Sequence, residues 1–420
     1  MIRRGHSWLA FIALTSLNFI LPAGSAMAGK VSGSITTGFD SFTEKYTIVE
    51  EDTLDRLTEF RTRLRLGYTH GSFLKNYLQL QGESLVGEES LESTGRVYFI
   101  RRSDAARFAI DTDLTYRTFR DSSDYSFPND FLRYNLRTYF QRTIAPGLSL
   151  RLTDRLEVLD FDQRTEFDYD YVRNSITLSG DLDRDLTTTY HAAVAFTNKS
   201  IPDSTEISYH AWSAAGEYRA TMDINRHVYF NLNGERRLYE DKATKSHFWA
   251  VLAGATVHPF TRGDFGFGIE NTLESYFYDR ETDAFFDYVE NRTSIIASYF
   301  KSFDLTFGLG PTFAFLYSDF SHEDEYTEVG ARLRVNYNAG TRIWLSASYE
   351  PGHRNYSVDG TGSEVIFSDF TYHRIIVFAS ARIWRNLNTN LFLNHEPEDH
   401  KIEGDDATAT LFSLDLSYSF

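Results

Sequence analysis

The stretch Thr58–Tyr68, TEFRTRLRLGY, sorts its residues at every second position. Thr58, Phe60, Thr62, Leu64, Leu66 and Tyr68 fall on one side, and Glu59, Arg61, Arg63, Arg65 and Gly67 on the other. Successive side chains of a β-strand point to opposite faces, whereas a helical period would scatter these arginines around the axis. The segment therefore predicts a strand with one apolar and one charged face. The pattern recurs along the chain. Phe108, Ile110, Leu114 and Tyr116 oppose Asp111, Asp113 and Arg117; Leu132, Tyr134, Leu136 and Phe140 oppose Arg133, Arg137 and Gln141. Val329, Leu333, Val335 and Tyr337 oppose Glu328, Arg332 and Arg334, and the final segment sets Phe412, Leu414, Leu416, Tyr418 and Phe420 against Ser413, Asp415, Ser417 and Ser419.

The connections alternate as well. Short turns such as Ala145–Gly147, Asp183–Asp185, Pro259–Gly263 and Trp384–Asn386 take turns with longer acidic stretches, among them Glu44–Asp55, Val86–Thr94, Asp121–Asp130 and Ser357–Phe367. Nine turns and ten loops separate about twenty strands, with eighteen inside the error of such a reading. No domain boundary or motif repeat stands out beyond the hairpin itself.

Composition narrows the class. The 420 residues carry a formal charge of -17, which excludes a protein that displaces counterions from nucleic acid. Cysteine is absent, so disulfides, thiolate metal sites and a cysteine nucleophile are excluded. Arg3 and Arg4, the uncharged run Trp8–Leu21, the break at Pro22 and Gly24, and Ala26-Met27-Ala28 read as a secretory signal over residues 1–28, cleaved before Gly29. Residues 29–420 are then one domain. They hold no further apolar run long enough to span a membrane as a helix, so any spanning is by strands. Spanning strands must close on themselves, because an open edge in lipid leaves backbone groups unsatisfied. The expected fold is all-β: a transmembrane antiparallel up-and-down barrel of about 18–20 strands, apolar face to lipid and charged face to a lumen.

A signal sequence, tight turns alternating with acidic loops, and a last strand ending in Phe420 resemble Gram-negative outer-membrane β-barrels of the porin-like kind. The resemblance implies that termini and short turns face the periplasm and loops face outside. It also implies that Phe412, Leu414, Leu416, Tyr418 and Phe420 form the C-terminal signal read by the barrel-assembly machinery. Outer-membrane lipid and lipopolysaccharide are the expected surroundings, and no cofactor is called for. Aromatic girdles are expected, with Tyr68, Phe73, Phe303, Trp384 and Tyr418 at the periplasmic belt and Phe39, Phe161, Phe277 and Phe315 at the outer one.

Twenty strands enclose a lumen roughly 40 Å across, too wide for side chains alone to fill. The pore-lining candidates separate by sign. Arg61, Arg63 and Arg65 form one ladder; Arg133, Arg137, Arg151, Arg155 and Arg173 cluster on neighbouring strands; Glu270, Glu274, Glu290 and Glu328 come later. Opposed basic and acidic walls create a transverse field, and cross-strand pairing is the competing reading. Inward tyrosines, Tyr139, Tyr171, Tyr276 and Tyr288 among them, offer faces for sugar rings or simply wetted hydroxyls. His395, Glu396, Asp399 and His400 lack the i, i+4 helical spacing of a zinc protease, and no nucleophile accompanies them. The reading is a non-enzymatic channel for hydrophilic solutes. Its alternatives are a port for exopolysaccharide secretion gated by a periplasmic partner, and a non-conducting scaffold.

Overall fold

The computed structural model describes residues 29–420 apart from 49–50, 89, 120–128, 164–167, 203, 224–225, 242–244, 283–284, 303, 321–323, 341, 359–367 and 402–405. The secretory signal expected over 1–28 lies outside the described residues.

Twenty strands account for nearly all of it. They are β1 (Lys30–Ile48), β2 (Glu51–Gly71), β3 (Asn76–Val86), β4 (Ser90–Arg102), β5 (Ala106–Phe119), β6 (Phe131–Ala145), β7 (Leu148–Phe161), β8 (Tyr171–Asp183), β9 (Thr188–Ser200) and β10 (Tyr209–Asp223). The second half holds β11 (Arg226–Tyr239), β12 (Phe248–Arg262), β13 (Phe265–Tyr278), β14 (Tyr288–Ser302), β15 (Leu305–Tyr317), β16 (Tyr326–Ala339), β17 (Ile343–Tyr356), β18 (Phe370–Arg382), β19 (Leu387–His400) and β20 (Ala407–Ser419). Every strand pairs antiparallel with its neighbours in sequence, and β1 pairs with β20 from Ser34↔Ser419 to Tyr46↔Ala407, which closes the barrel. Closure removes the edges that lipid would leave unsatisfied. The chain's last residue joins the seam: Phe420 N–H donates to the Gly33 carbonyl at 2.9 Å, and Gly33 N–H donates back to the Phe420 carbonyl at 3.0 Å.

Both termini and the short turns share one end. There Pro146 and Gly147 alone join β6 to β7, and Gly147 takes the positive φ of 76° that lets so short a link reverse the chain. The other end carries the longer connections, up to the thirteen residues 357–369 between β17 and β18. Two stretches expected as long loops are instead strand. Glu44 pairs with Asp55 and Ile48 with Glu51, leaving 49–50 as the link, and only 87–89 separate β3 from β4. Strands run from 11 to 21 residues rather than about ten, so acidic sequence near β1 and β2 extends the ladder beyond the apolar belt.

The outer face is apolar as the alternation requires. Phe60, Leu64, Leu152, Ile176, Leu309, Leu333, Leu414 and Leu416 are all exposed on it, the orientation that lipid stabilises. Buried side chains concentrate on the inner face of β12 to β18, where Thr312 is 2 %, Glu328 3 %, Ala250 4 % and Glu350 5 % exposed. Part of the lumen is therefore filled by the wall's own side chains.

Candidate functional site

The inner face of β13 to β18 carries a brace of paired charges that skips over strands. Glu270 on β13 accepts from Arg334 on β16 at 2.6 and 2.8 Å, and Arg332 on the same strand lies 3.5 Å from it. Arg332 also donates to Glu350 on β17 at 2.6 Å. Arg292 on β14 reaches Glu328 at 3.2 Å and Glu350 at 3.3 Å. Arg354 donates to Glu328 at 3.0 and 2.7 Å, and the Tyr372 hydroxyl adds a third donor at 2.8 Å. Side chains three strands apart can meet only on the concave side of the sheet, which fixes these residues as lumenal.

Local sequence makes the reach possible. Between β14 and β16, β15 offers Gly308, Gly310, Thr312 and Ala314 to the inside, so Arg332 and Arg334 lie flat across it. The β14–β15 ladder breaks at Ile295–Ile296 opposite Gly310–Pro311, where proline has no N–H to give. The β16–β17 ladder breaks likewise opposite Pro351. The four glutamates expected as an acidic wall all face this lumen, but they are not a bare carboxylate surface. Glu270 and Glu328 are each held by two arginines. Glu274 and Glu290 stand directly opposite each other and accept from the Tyr288 and Tyr326 hydroxyls at 2.7 and 2.8 Å. Sequence reasoning missed Arg292 and Arg354 as partners of Glu328, and Glu350 as a second acceptor for Arg292 and Arg332. Arg292 reaches Glu328 across β15, which leaves no spacing signal in a linear chain, and Arg354 stands opposite Glu328 only through the β16–β17 register.

The wall from β2 to β9 differs. Arg61 pairs with Asp40 at 2.8 Å, and Arg63 and Arg65 share Glu83 at 3.0 and 2.6 Å. Arg151 donates to Gln141 at 3.2 Å and lies 4.0 Å from Asp181. Arg173 and the Tyr171 hydroxyl both donate to Glu157, and Arg155 stands 3.8 Å from it. Arg133 and Arg137 have neither an ion pair nor a hydrogen bond among the described residues. The arginine Nε atoms on Arg102, Arg107, Arg117, Arg133 and Arg151 that are buried without an acceptor among the described residues all lie on β4 to β7. Other cations on this wall lie over aromatic rings, Arg102 over Phe73 at 5.2 Å, Arg107 over Tyr139 at 5.0 Å and Arg117 over Phe119 at 4.7 Å.

At the loop end a repeated device appears that sequence reading had not found. The last loop residue before each of eight strands caps the backbone N–H of the last residue of the preceding strand or, at Ile201 and Ser318, of the residue that follows it. Asp130 accepts from Phe119, Asp170 from Phe161, Asp369 from Tyr356 and Asp406 from His400, each at 2.8 Å. Asp287 caps Tyr278 at 2.6 Å, Ser208 caps Ile201 at 2.9 Å, His247 caps Tyr239 at 3.1 Å and Glu325 caps Ser318 at 3.3 Å. In seven of the eight the next residue is aromatic and points inward: Phe131, Tyr171, Tyr209, Phe248, Tyr288, Tyr326 and Phe370. They meet the aromatic ends of neighbouring strands, as Phe131 meets Phe161 at 5.8 Å between ring centres and Tyr326 meets Tyr356 at 6.0 Å. Arginine planes stack on them from the lumen, Arg237 over Tyr209 at 4.4 Å and Arg354 over Tyr326 at 4.1 Å. Phe161, expected in the outer lipid belt, therefore belongs to this inner collar, because it shares the phase of Arg155 and Glu157. Phe303 lies outside the described residues.

The histidine cluster is split by the wall. His395 faces outward and bonds the Thr410 hydroxyl at 2.8 Å, whereas Glu396 faces inward and accepts from Arg374. His400 is inward too, stacked on Phe370 with ring centres 4.7 Å apart and bonded to Ser368 at 2.9 Å. No shared centre joins these groups.

No family model and no curated protein matches the sequence. Solved structures match nearly the whole chain. The copper transporter OprC aligns at TM-score 0.54 and 10% identity over 94% of this chain and 80% of its own. The siderophore receptor PirA from Pseudomonas aeruginosa aligns at 0.51 and 10% over 94% and 81%. A BenF-like porin from Pseudomonas fluorescens Pf-5 aligns at 0.50 and 11% over 93% and 99%. At this identity the likeness is one of fold alone, a closed antiparallel β-barrel.

Proposed function

We propose that the protein is a water-filled channel for hydrophilic solutes in the outer membrane, inserted after removal of residues 1–28. The observation that carries this is the asymmetry of the lumen. One wall is packed with mutually paired side chains, while the other presents Arg65, Arg96 and Arg155 at 48%, 48% and 54% side-chain exposure. Charges so placed need water, and a hydrated wall in a twenty-strand barrel is a conduit. No two consecutive strands are separated by more than thirteen residues, too few for a plug domain between them. The likeness in fold to a BenF-like porin supports the same reading. Purified protein in a planar bilayer is expected to give discrete ion-conducting steps; silence overturns the reading.

The aromatic collar favours a second reading, an exopolysaccharide port gated by a periplasmic partner, since aromatic faces stack on sugar rings. That reading expects a silent purified barrel together with loss of exopolysaccharide on gene deletion. Silence with normal exopolysaccharide leaves the scaffold. Phe412 to Phe420, lipid-facing and seam-closing, would serve the assembly machinery in all three cases.

A further inference from the structure

We propose that the inner wall of β6 to β9 holds an oxyanion-binding site for the solute, a carboxylate or a phosphate group, at Arg133, Arg137, Arg155, Arg173 and Lys199. The proposal rests on the channel reading and names its substrate class.

Register places like charges face to face. Arg137 stands directly opposite Arg155, and Arg173 directly opposite Lys199. Like charges opposed across strands destabilise a sheet, so two such pairs on adjacent strands call for an anion between them. The protein supplies one, Glu157, already committed to Arg173 and Tyr171 and with its side chain 10% exposed. The other nearby carboxylates are taken. Asp111 faces Arg137, but both of its oxygens accept from Arg96, at 2.7 and 2.6 Å, and Asp113 accepts from Asn135 at 2.9 Å. Lys199 sits over the Tyr171 and Tyr169 rings at 4.3 and 5.0 Å, which orients the ammonium without neutralising it.

Contrast across the lumen shows that this is a property of the site and not of lumenal arginines in general. Arg292, Arg332, Arg334 and Arg354 each contact a glutamate within 3.5 Å. On β6 the Arg133 Nε is buried with no acceptor. Guanidinium forks match carboxylate and phosphate oxygens in pairs, so an arriving oxyanion satisfies donors that the protein leaves open.

The test uses the full mature barrel in planar bilayers with citrate and inorganic phosphate as probes. Wild type is expected to prefer chloride over potassium in a salt gradient, and one or both probes should reduce its current saturably. Block by citrate alone assigns a carboxylate site, by phosphate alone a phosphate site, and by both a general oxyanion site. The Arg137→Gln/Arg155→Gln variant should lose chloride preference and weaken block about tenfold, the loss expected on removing charge-assisted bonds. Arg65→Gln, whose arginine Glu83 already binds, should leave block unchanged. A conducting protein with unaltered selectivity and block in the double variant overturns the site while the channel stands. A wild-type protein that does not conduct overturns the channel. The site is then read by calorimetric titration of detergent-folded protein with the same probes, where binding lost in the variant upholds it and no binding overturns it. Should the double variant fail to fold by heat-modifiable mobility, Arg133→Gln is measured instead and must weaken binding about threefold or more.

Discussion

Replacing Glu328 by glutamine measures how dry the brace is. Glu328 is 3 % exposed and receives Arg354, Arg292 and the Tyr372 hydroxyl. Glutamine keeps the volume and part of the hydrogen bonding but removes the charge. Arg292 retains Glu350 at 3.3 Å. Arg354 has no second carboxylate among the ion pairs it makes with described residues, and keeps its stacking on Tyr326 and Phe370, at 4.1 and 5.2 Å. One guanidinium is then left buried without an anion, which costs about 3–5 kcal/mol when a buried pair is broken from one side. Removing both partners is a different perturbation. Glu328→Gln/Arg354→Met should return to within about 1 kcal/mol of wild type, because an apolar replacement of a whole buried pair is close to neutral.

The assay is equilibrium urea unfolding of the barrel folded into phosphatidylcholine vesicles, followed by the fluorescence of the four tryptophans of residues 29–420, Trp212, Trp249, Trp344 and Trp384. Glu83→Gln supplies the internal reference. Its partners Arg63 and Arg65 are 39% and 48% exposed, so the substitution should cost under about 1 kcal/mol, as hydrated ion pairs do. If Glu328→Gln costs no more than Glu83→Gln, water reaches both walls equally and the division of the lumen into a packed and an open side is wrong.

Leu333→Arg places a charge among Leu309 and Tyr349 on the lipid face and should cost about 2–4 kcal/mol near midplane; normal heat-modifiable mobility of the variant would count against that facing. Gly310→Ala should block assembly, since its Cβ would lie 1.6 Å from the Ile295 carbonyl oxygen, and an undiminished yield of folded barrel contradicts the close approach. In the turn after β8, the Thr187 hydroxyl and N–H donate to Asp185 at 2.6 and 2.8 Å and hold its carboxyl below the ordinary aspartate range. A depressed value means that the turn's stabilisation is present above the unfolded-state value and fades as pH falls through the folded one. Thr187→Val should therefore raise the Asp185 titration midpoint by carbon-13 NMR, and an unmoved midpoint refutes the contact's role.

Which parts of this were legible in the sequence follows from the range of each interaction. Strand facing was legible because a period of two is written in neighbouring residues, and Thr58–Tyr68 alone displays it. Strand number followed from the alternation of turns and loops. The ends of β1 and β2 were not legible, because Glu44, Asp52 and Asp55 read as solvated loop although they continue a paired ladder. Phe161 was misplaced for want of counting its phase from Arg155. The capping series was present in the sequence as a polar residue followed by an aromatic, Asp130-Phe131, Asp170-Tyr171, Asp287-Tyr288 and Asp369-Phe370. It escaped notice because the capped N–H lies on the far side of a loop whose length varies from hairpin to hairpin. The brace was least legible, since Glu270 and Arg334 are 64 positions apart and meet over two intervening strands.

Side-chain bulk on the strands between, more than charge count, decides what a lumenal arginine does. Arg334 can lie down because β15 beneath it presents Gly308 and β14 beyond presents Ser298. A long flexible cation over such a floor finds a carboxylate three strands away and is held against the wall by it. Arg137 has no floor of that kind. Arg155 stands beside it on β7, and on the next lumenal positions of its own strand are Asn135 and Tyr139. A guanidinium hemmed in by other long side chains cannot cross them, so it stands into the lumen and keeps its charge available. The two walls draw on the same residue types, and the glycines of β15 are what separate a structural brace from a surface that solute can reach.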